Sequence, residues 1–230
     1  MDNYFLKQKL LREKSRPLAP IGREEAIKMM EISYLASASA LIWIALYYLP
    51  IGGAFFRLVL PLPLALLQVR RGAYSGVEGV SLAVILLFAL MGPVRGPLVL
   101  FPYGLLAVWL GWSWQRRFNW WISWSGGIVL GTIGFVVRVI ALSLLLGENL
   151  WVVITRAGAG LLERCFDLFN ISITPDIFQV QMAAFFLVII QETIYVLTLH
   201  ALAYWIFPRL KAYIPEPPKI LNGLVVLDQY

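Results

Sequence analysis

Charge is scarce in this sequence. Lysine, arginine, aspartate and glutamate make up 14% of the 230 residues, against about a quarter in a soluble domain. Hydrophobic residues reach 60% and the mean hydropathy is +0.77. That shortage excludes an ordinary soluble class and leaves a membrane protein surrounded by the lipid bilayer. Cysteine and histidine are nearly missing. Cys165 alone rules out an internal disulfide and a cysteine-rich metal cluster, and His200 alone rules out a multi-histidine site, so no metal and no cofactor are expected. The G-x-S-x-G, H-E-x-x-H, Walker A and dinucleotide patterns are all absent, and no enzyme is expected. The net charge of +6 has no folded soluble face on which to gather, which argues against a nucleic-acid partner. Met1 to Glu31 lacks the short apolar core of a cleavable signal peptide and is expected to stay on the mature protein.

What is present is a series of apolar runs: Ile32 to Leu49, Ile51 to Val69, Val80 to Met91, Leu98 to Trp112, Trp120 to Leu146 and Val180 to Phe207. They predict an all-α fold, a polytopic bundle of six transmembrane helices over residues 32–207, with a charged segment at 1–31 before it and a Pro-containing tail at 208–230 after it. The third run is short and spans a bilayer only if its helix begins near Gly76. Pro50 with Gly52 and Gly53 divides the first two runs by a tight turn. With both termini in the cytoplasm, fourteen lysines and arginines fall inside and only Arg95, Arg156 and Arg164 outside, as the positive-inside rule requires of an even number of spans.

Gly147 to Ile177 is the longest connection. Within it, residues 150–169 alternate apolar side chains with Arg156, Glu163, Arg164 and Asp167, which suits a helix lying in the interface or a lid resting on the bundle. Trp112, Trp114, Trp120, Trp121, Trp124 and Trp151 stand beside predicted span ends and read as interfacial anchors. Pro215 to Pro218 reads as a linker, and Asn170 opens a formal glycosylation triplet with nothing else to support it.

A charge within a span costs at least about 2.5 kcal/mol near its centre, so Arg57, Arg138 and Glu192 call for explanation. At about 1.5 Å per residue, Arg57 lies about 9 Å and Arg138 about 12 Å below the outer ends of their spans, with Glu192 deeper at about 20 Å. Two arrangements fit. In one, Arg57 and Arg138 receive an anionic or carboxylate-bearing small molecule in an outward-facing pocket floored by Gln191 and Glu192. In the other, Arg138 pairs with Glu192 and Arg57 snorkels to the headgroups. His200, near the cytoplasmic end of the last span, reads as an interhelical hydrogen-bonding group. Glu24-Glu25 is similar to the paired glutamates of one class of membrane protease, but Met29 stands where that class has arginine.

Small residues at four-residue spacing, Ala36 with Ala40 and Gly127 with Gly131, mark faces where another helix, of this chain or of a partner, approaches closely. The short first loop, Pro61-Leu62-Pro63 toward the end of the second span, Arg70-Arg71-Gly72 and the region Gly76 to Gly79 together resemble the YybS-like family of six-span membrane proteins. Within it the chain is more similar to the cyanobacterial and plastid branch. That family is distantly grouped with the substrate-binding S components of energy-coupling-factor transporters. The resemblance covers Ile32 to Phe207. It implies an S-component-like bundle that binds a small solute near its outer side, with Ala36 and Ala40 facing a membrane-embedded coupling subunit. No vitamin-pocket residues are matched. The other function in view is an accessory or assembly factor of a large membrane complex in the plasma or thylakoid membrane, with other membrane subunits as partners.

Overall fold

A computed structural model of the chain describes residues 22–50, 52–168 and 176–221. The expectations for the first part of the N-terminal segment, for the Asn170 triplet and for the end of the tail lie outside the described residues. Among those described, every regular element is helical: α1 (Arg23–Tyr48), α2 (Gly53–Val59), α3 (Leu62–Arg71), α4 (Ala73–Arg95), α5 (Tyr103–Gln115), α6 (Trp120–Leu146), α7 (Leu150–Leu168) and α8 (Ile177–Ile206). Single 3-10 turns occupy Pro97–Leu100 and Pro208–Leu210. Among the described residues, five segments are long and apolar enough to cross a membrane: α1, α4, Pro97–Gln115, α6 and α8. The protein is an all-helical, polytopic membrane protein.

The second expected span is not one helix. It is divided into α2 and α3, of 7 and 10 residues. Pro61 is the cause. It has no N–H, so the Arg57 carbonyl four residues earlier loses its helical donor. A backbone group in a bilayer must be satisfied from within the protein. The Tyr195 hydroxyl of α8 supplies that bond to the Arg57 carbonyl at 2.9 Å, and Ser39 of α1 donates to the Leu60 carbonyl at 3.1 Å. The broken helix is thus fastened on both sides at its break.

The third run reaches spanning length because α4 begins at Ala73, directly after Gly72, whose φ of +93° favours glycine. It runs regularly to Met91 and kinks at Gly92 before Pro93. α8 opens on a capping box in which Asp176 accepts from the start of the helix while the Gln179 side chain reaches back to the Asp176 N–H.

α3, the shortest of the deeply buried elements, lies at the centre and packs against α5, α4 and α1. The outer faces of the long helices, with Ile85, Ile133 and Ile190, are exposed and suited to lipid. Ala36 and Ala40 are both buried inside the chain, on a helix packed against α4, α2 and α3. Gly127 meets Val196 and Gly131 meets Glu192. All four residues of the two small-residue faces are therefore taken up by intramolecular packing, one of the two alternatives that their spacing leaves open.

Two further corrections concern the ring-rich end. Trp114 and Trp120 are buried, not interfacial, and clasp His200 with ring centroids 5.3 and 5.1 Å away. The Pro-containing tail is no free linker up to Leu221: the Trp120 indole donates to the Pro215 carbonyl at 2.8 Å, and Leu221 packs beside Trp120. At the same end Glu31 holds both Arg70, at 3.1 Å, and Arg71, at 2.6 Å. α7 packs on α8 and α6, and its Trp151 reaches an apolar cleft between Val139 and Phe185.

Candidate functional site

The break at Pro61 sets the position of Arg57. Its backbone is tied to Tyr195, while its side chain is exposed on α2. Around it runs a chain of edge-on aromatic contacts that joins three helices. Tyr195 meets Tyr103 with centroids 6.3 Å apart, Tyr103 meets Trp43 at 5.6 Å, and Trp43 meets Tyr47 at 5.1 Å. Such pairs fix ring orientation as well as bury area.

Cations cluster at the Tyr47 end of this row. The Arg138 guanidinium lies over the Trp43 ring at 5.7 Å, with Nη2 3.5 Å from the Tyr47 hydroxyl. Arg95 lies over the Tyr47 ring at 5.8 Å. An open cavity of about 470 Å³ is lined by Tyr47, Gly53, Arg57 and Arg138. A second, of about 350 Å³, is lined by Arg57, Tyr103, Gln191, Glu192, Tyr195 and Thr198. Arg57 borders both. Of the four residues expected at the site, the structure places Arg57 with Arg138 in one cavity and Arg57 with Gln191 and Glu192 in the other.

The Arg138 to Glu192 ion pair is not formed. Glu192 sits against Gly131, where a Cβ would collide with its carboxylate. Arg138 is seven residues further along α6, about 10 Å of helical rise, and its guanidinium is engaged with Trp43 and Tyr47. The ion pairs found among the described residues join Glu31 to Arg70 and Arg71, and Lys28 to Glu78. None of them includes Arg57, Arg95, Arg138 or Glu192. Glu192 is only 5% exposed, and its Oε2 has no hydrogen-bond partner. Buried polar atoms are satisfied in the great majority of cases, and one that is not calls for a reason.

His200 has a different character. Its Nδ1 is 2.9 Å from the Val196 carbonyl oxygen, which can only accept, so Nδ1 carries the proton. Nε2 then accepts from the Ser123 hydroxyl at 2.9 Å, and Ser123 is 2.7 Å from Ser113. The three residues bind α8, α6 and α5 together, fully buried, as a fastening.

Sequence reasoning missed Tyr47, Arg95, Tyr195 and Thr198. Tyr195 and Thr198 were within reach, because they follow Gln191 at helical spacings of four and seven and share its side of α8. Arg95 was counted in a loop, yet it closes α4. Among the described residues no group of three or more histidine, cysteine, aspartate or glutamate side chains is placed to hold a metal ion.

Residues 37–222 match the model of a family described as Predicted membrane protein (DUF2232). That match is consistent with the YybS-like grouping suggested by the sequence. No curated protein and no solved structure matches the chain.

Proposed function

The chain belongs to the DUF2232 family of predicted membrane proteins, and on that footing we propose that it binds a small anionic or carboxylate-bearing solute for uptake, without catalysing a reaction. One observation carries this: Arg57 and Arg138 line a single open cavity, and no carboxylate lies within salt-bridge distance of either among the described residues. Unpaired arginines in a membrane protein mark ligand or ion paths by default, and a planar guanidinium fork suits carboxylate or phosphate. Together α2 and α3, from Gly53 to Arg71, rise about 28 Å, enough for a sixth passage if the kink is counted through. With six passages the arginine and lysine bias puts both termini in the cytoplasm, and the Arg138 cavity opens outward. The S-component resemblance supports the importer role and a coupling subunit as partner. Since Ala36 and Ala40 are buried within the chain, that subunit would dock on other faces.

The test is mass spectrometry of everything that co-purifies with the tagged protein from its native plasma or thylakoid membrane in mild detergent. Coupling and ATPase subunits, or a stoichiometric small anion lost in Arg138→Ala, are the expected result. Photosynthetic or other large-complex subunits with no ligand would make the protein an accessory or assembly factor instead.

A further inference from the structure

Resting on the solute-binding role, and going beyond it, we infer that the ligand is a small zwitterion: its anionic group sits between Arg57 and Arg138, and its protonated amine sits against Glu192. A pure anion is explained by the arginines but not by the acid. Glu192 borders the same cavity as Arg57 and would repel an anion that entered it. Instead the two cavities form a polarised track, cationic at the Tyr47 end and anionic at the Gly131 end, with Arg57 shared between them.

The hydroxyls around Glu192 sharpen the chemistry. Tyr195 commits its proton to the Arg57 carbonyl at 2.9 Å, and Thr198 commits its proton to the Ile194 carbonyl at 2.8 Å. Each hydroxyl oxygen is left with only lone pairs to offer. Together with the carboxylate of Glu192, whose Oε2 is buried against Gly131 without a partner, they make this end of the cavity a set of acceptors, to which Gln191 can add its amide oxygen. Three acceptors around a carboxylate suit a group that is all donor and positively charged, which an alkylammonium is. Gly131 belongs to the same device, because only glycine leaves room for the carboxylate at that position. The axial offset of about 10 Å between Gly131 and Arg138 suits a short chain with opposite charges at its two ends, such as an aminoalkyl phosphate or an ω-amino acid. The same chemistry occurs in an aminophospholipid headgroup, and the exposed Gln191 and Ile194 beside the cavity leave that source open.

Isothermal titration of the full chain in phosphatidylglycerol nanodiscs tests this with two matched pairs: phosphoethanolamine against ethyl phosphate, and 4-aminobutyrate against butyrate. In at least one pair the amine-bearing probe is expected to bind about tenfold more tightly. Glu192→Gln brings that ratio to about one while ethyl phosphate or butyrate binding persists. Thr198→Val lowers the ratio in a second variant that keeps the acid. Retention of phosphatidylethanolamine by native mass spectrometry, lost in Glu192→Gln, with no binding of the soluble probes, assigns the zwitterion to a lipid headgroup. Equal affinity within both pairs overturns the inference and leaves anion binding standing. An anion affinity that rises tenfold in sodium over choline chloride, and no longer does so in Glu192→Gln, also overturns it by putting an inorganic cation at the acid. Binding of no probe and no lipid overturns both the zwitterion and the anionic solute.

Discussion

The two ends of the bundle treat Glu31 and His200 on one side, and Glu192 with three arginines on the other, in opposite ways. At the end that carries Arg70 and Arg71, Glu31 bridges both arginines, and His200 is bonded on both ring nitrogens and enclosed by Trp114 and Trp120. At the other end Arg57, Arg95 and Arg138 have no carboxylate partners among the described residues, and the Glu192 Oε2 is orphaned beside a cavity. A membrane protein bears the desolvation of a polar group where it fastens helices or where it meets a ligand. Saturation of the buried His200 and of Glu31 thus contrasts with the unpaired arginines and acid around the cavities, while neutral groups do not divide this way, since Gln68 and the Trp114 indole N–H of the first end are also buried without partners.

The comparison breaks first if the frame tolerates intrusion. Gly111 lies against Gln68 and the Ala65 backbone at the centre of the bundle, where an added Cβ would stand 2.8 Å from the Gln68 Cβ and 3.0 Å from the Ala65 carbonyl oxygen. Backbone cannot step aside as a flexible side chain does. Gly111→Val should destabilise the protein by about 3 kcal/mol, near the upper end for overpacking, as read by reversible unfolding in mixed micelles. Next is the histidine fastening. Ser123→Ala leaves Nε2 of a fully buried imidazole without its donor, at a cost of about 1 to 3 kcal/mol in the same assay. Loss of the Glu31 bridge should matter less, because the arginines stay partly exposed. Glu31→Gln is expected to cost about 1 kcal/mol or less, and less again at high salt.

The sequence carried the axial coordinate of this protein better than the angular one. The apolar runs and the Gly52 turn follow from counting residues along helices. Which way a side chain points around its helix depends on neighbours that counting does not supply. Trp114 and Trp120 were placed correctly near helix ends but face inward to His200, while Trp121, next in the chain, is exposed. Arg138 was given the wrong partner, because the length of its side chain made Glu192 look reachable, whereas the Trp43 and Tyr47 rings lie nearer. The division of the second span could have been anticipated from Pro61 and Pro63. The hydroxyl that compensates it comes from Tyr195, 138 residues away in sequence, and no local pattern announces that bond.

The smallest expected change in stability is the most telling one. Arg138 is half-buried and pays for its desolvation with a ring face and one long contact to a hydroxyl, with no carboxylate among the described residues to answer its charge. Methionine at this position would keep much of the volume and contact with Trp43 while removing the charge. If Arg138 belonged to the frame, its loss would destabilise the fold as the Ser123 variant does. If it belongs to the site, Arg138→Met leaves the unfolding free energy within about 0.5 kcal/mol of the parent or raises it, as removal of a poorly compensated charge does elsewhere. The same variant should lower anion affinity by about tenfold or more, in line with the loss of a charge-assisted hydrogen bond. Unfolding and titration on one preparation decide between the two. A destabilised variant that still binds would move Arg138 into the frame and leave Arg57 as the cation to test.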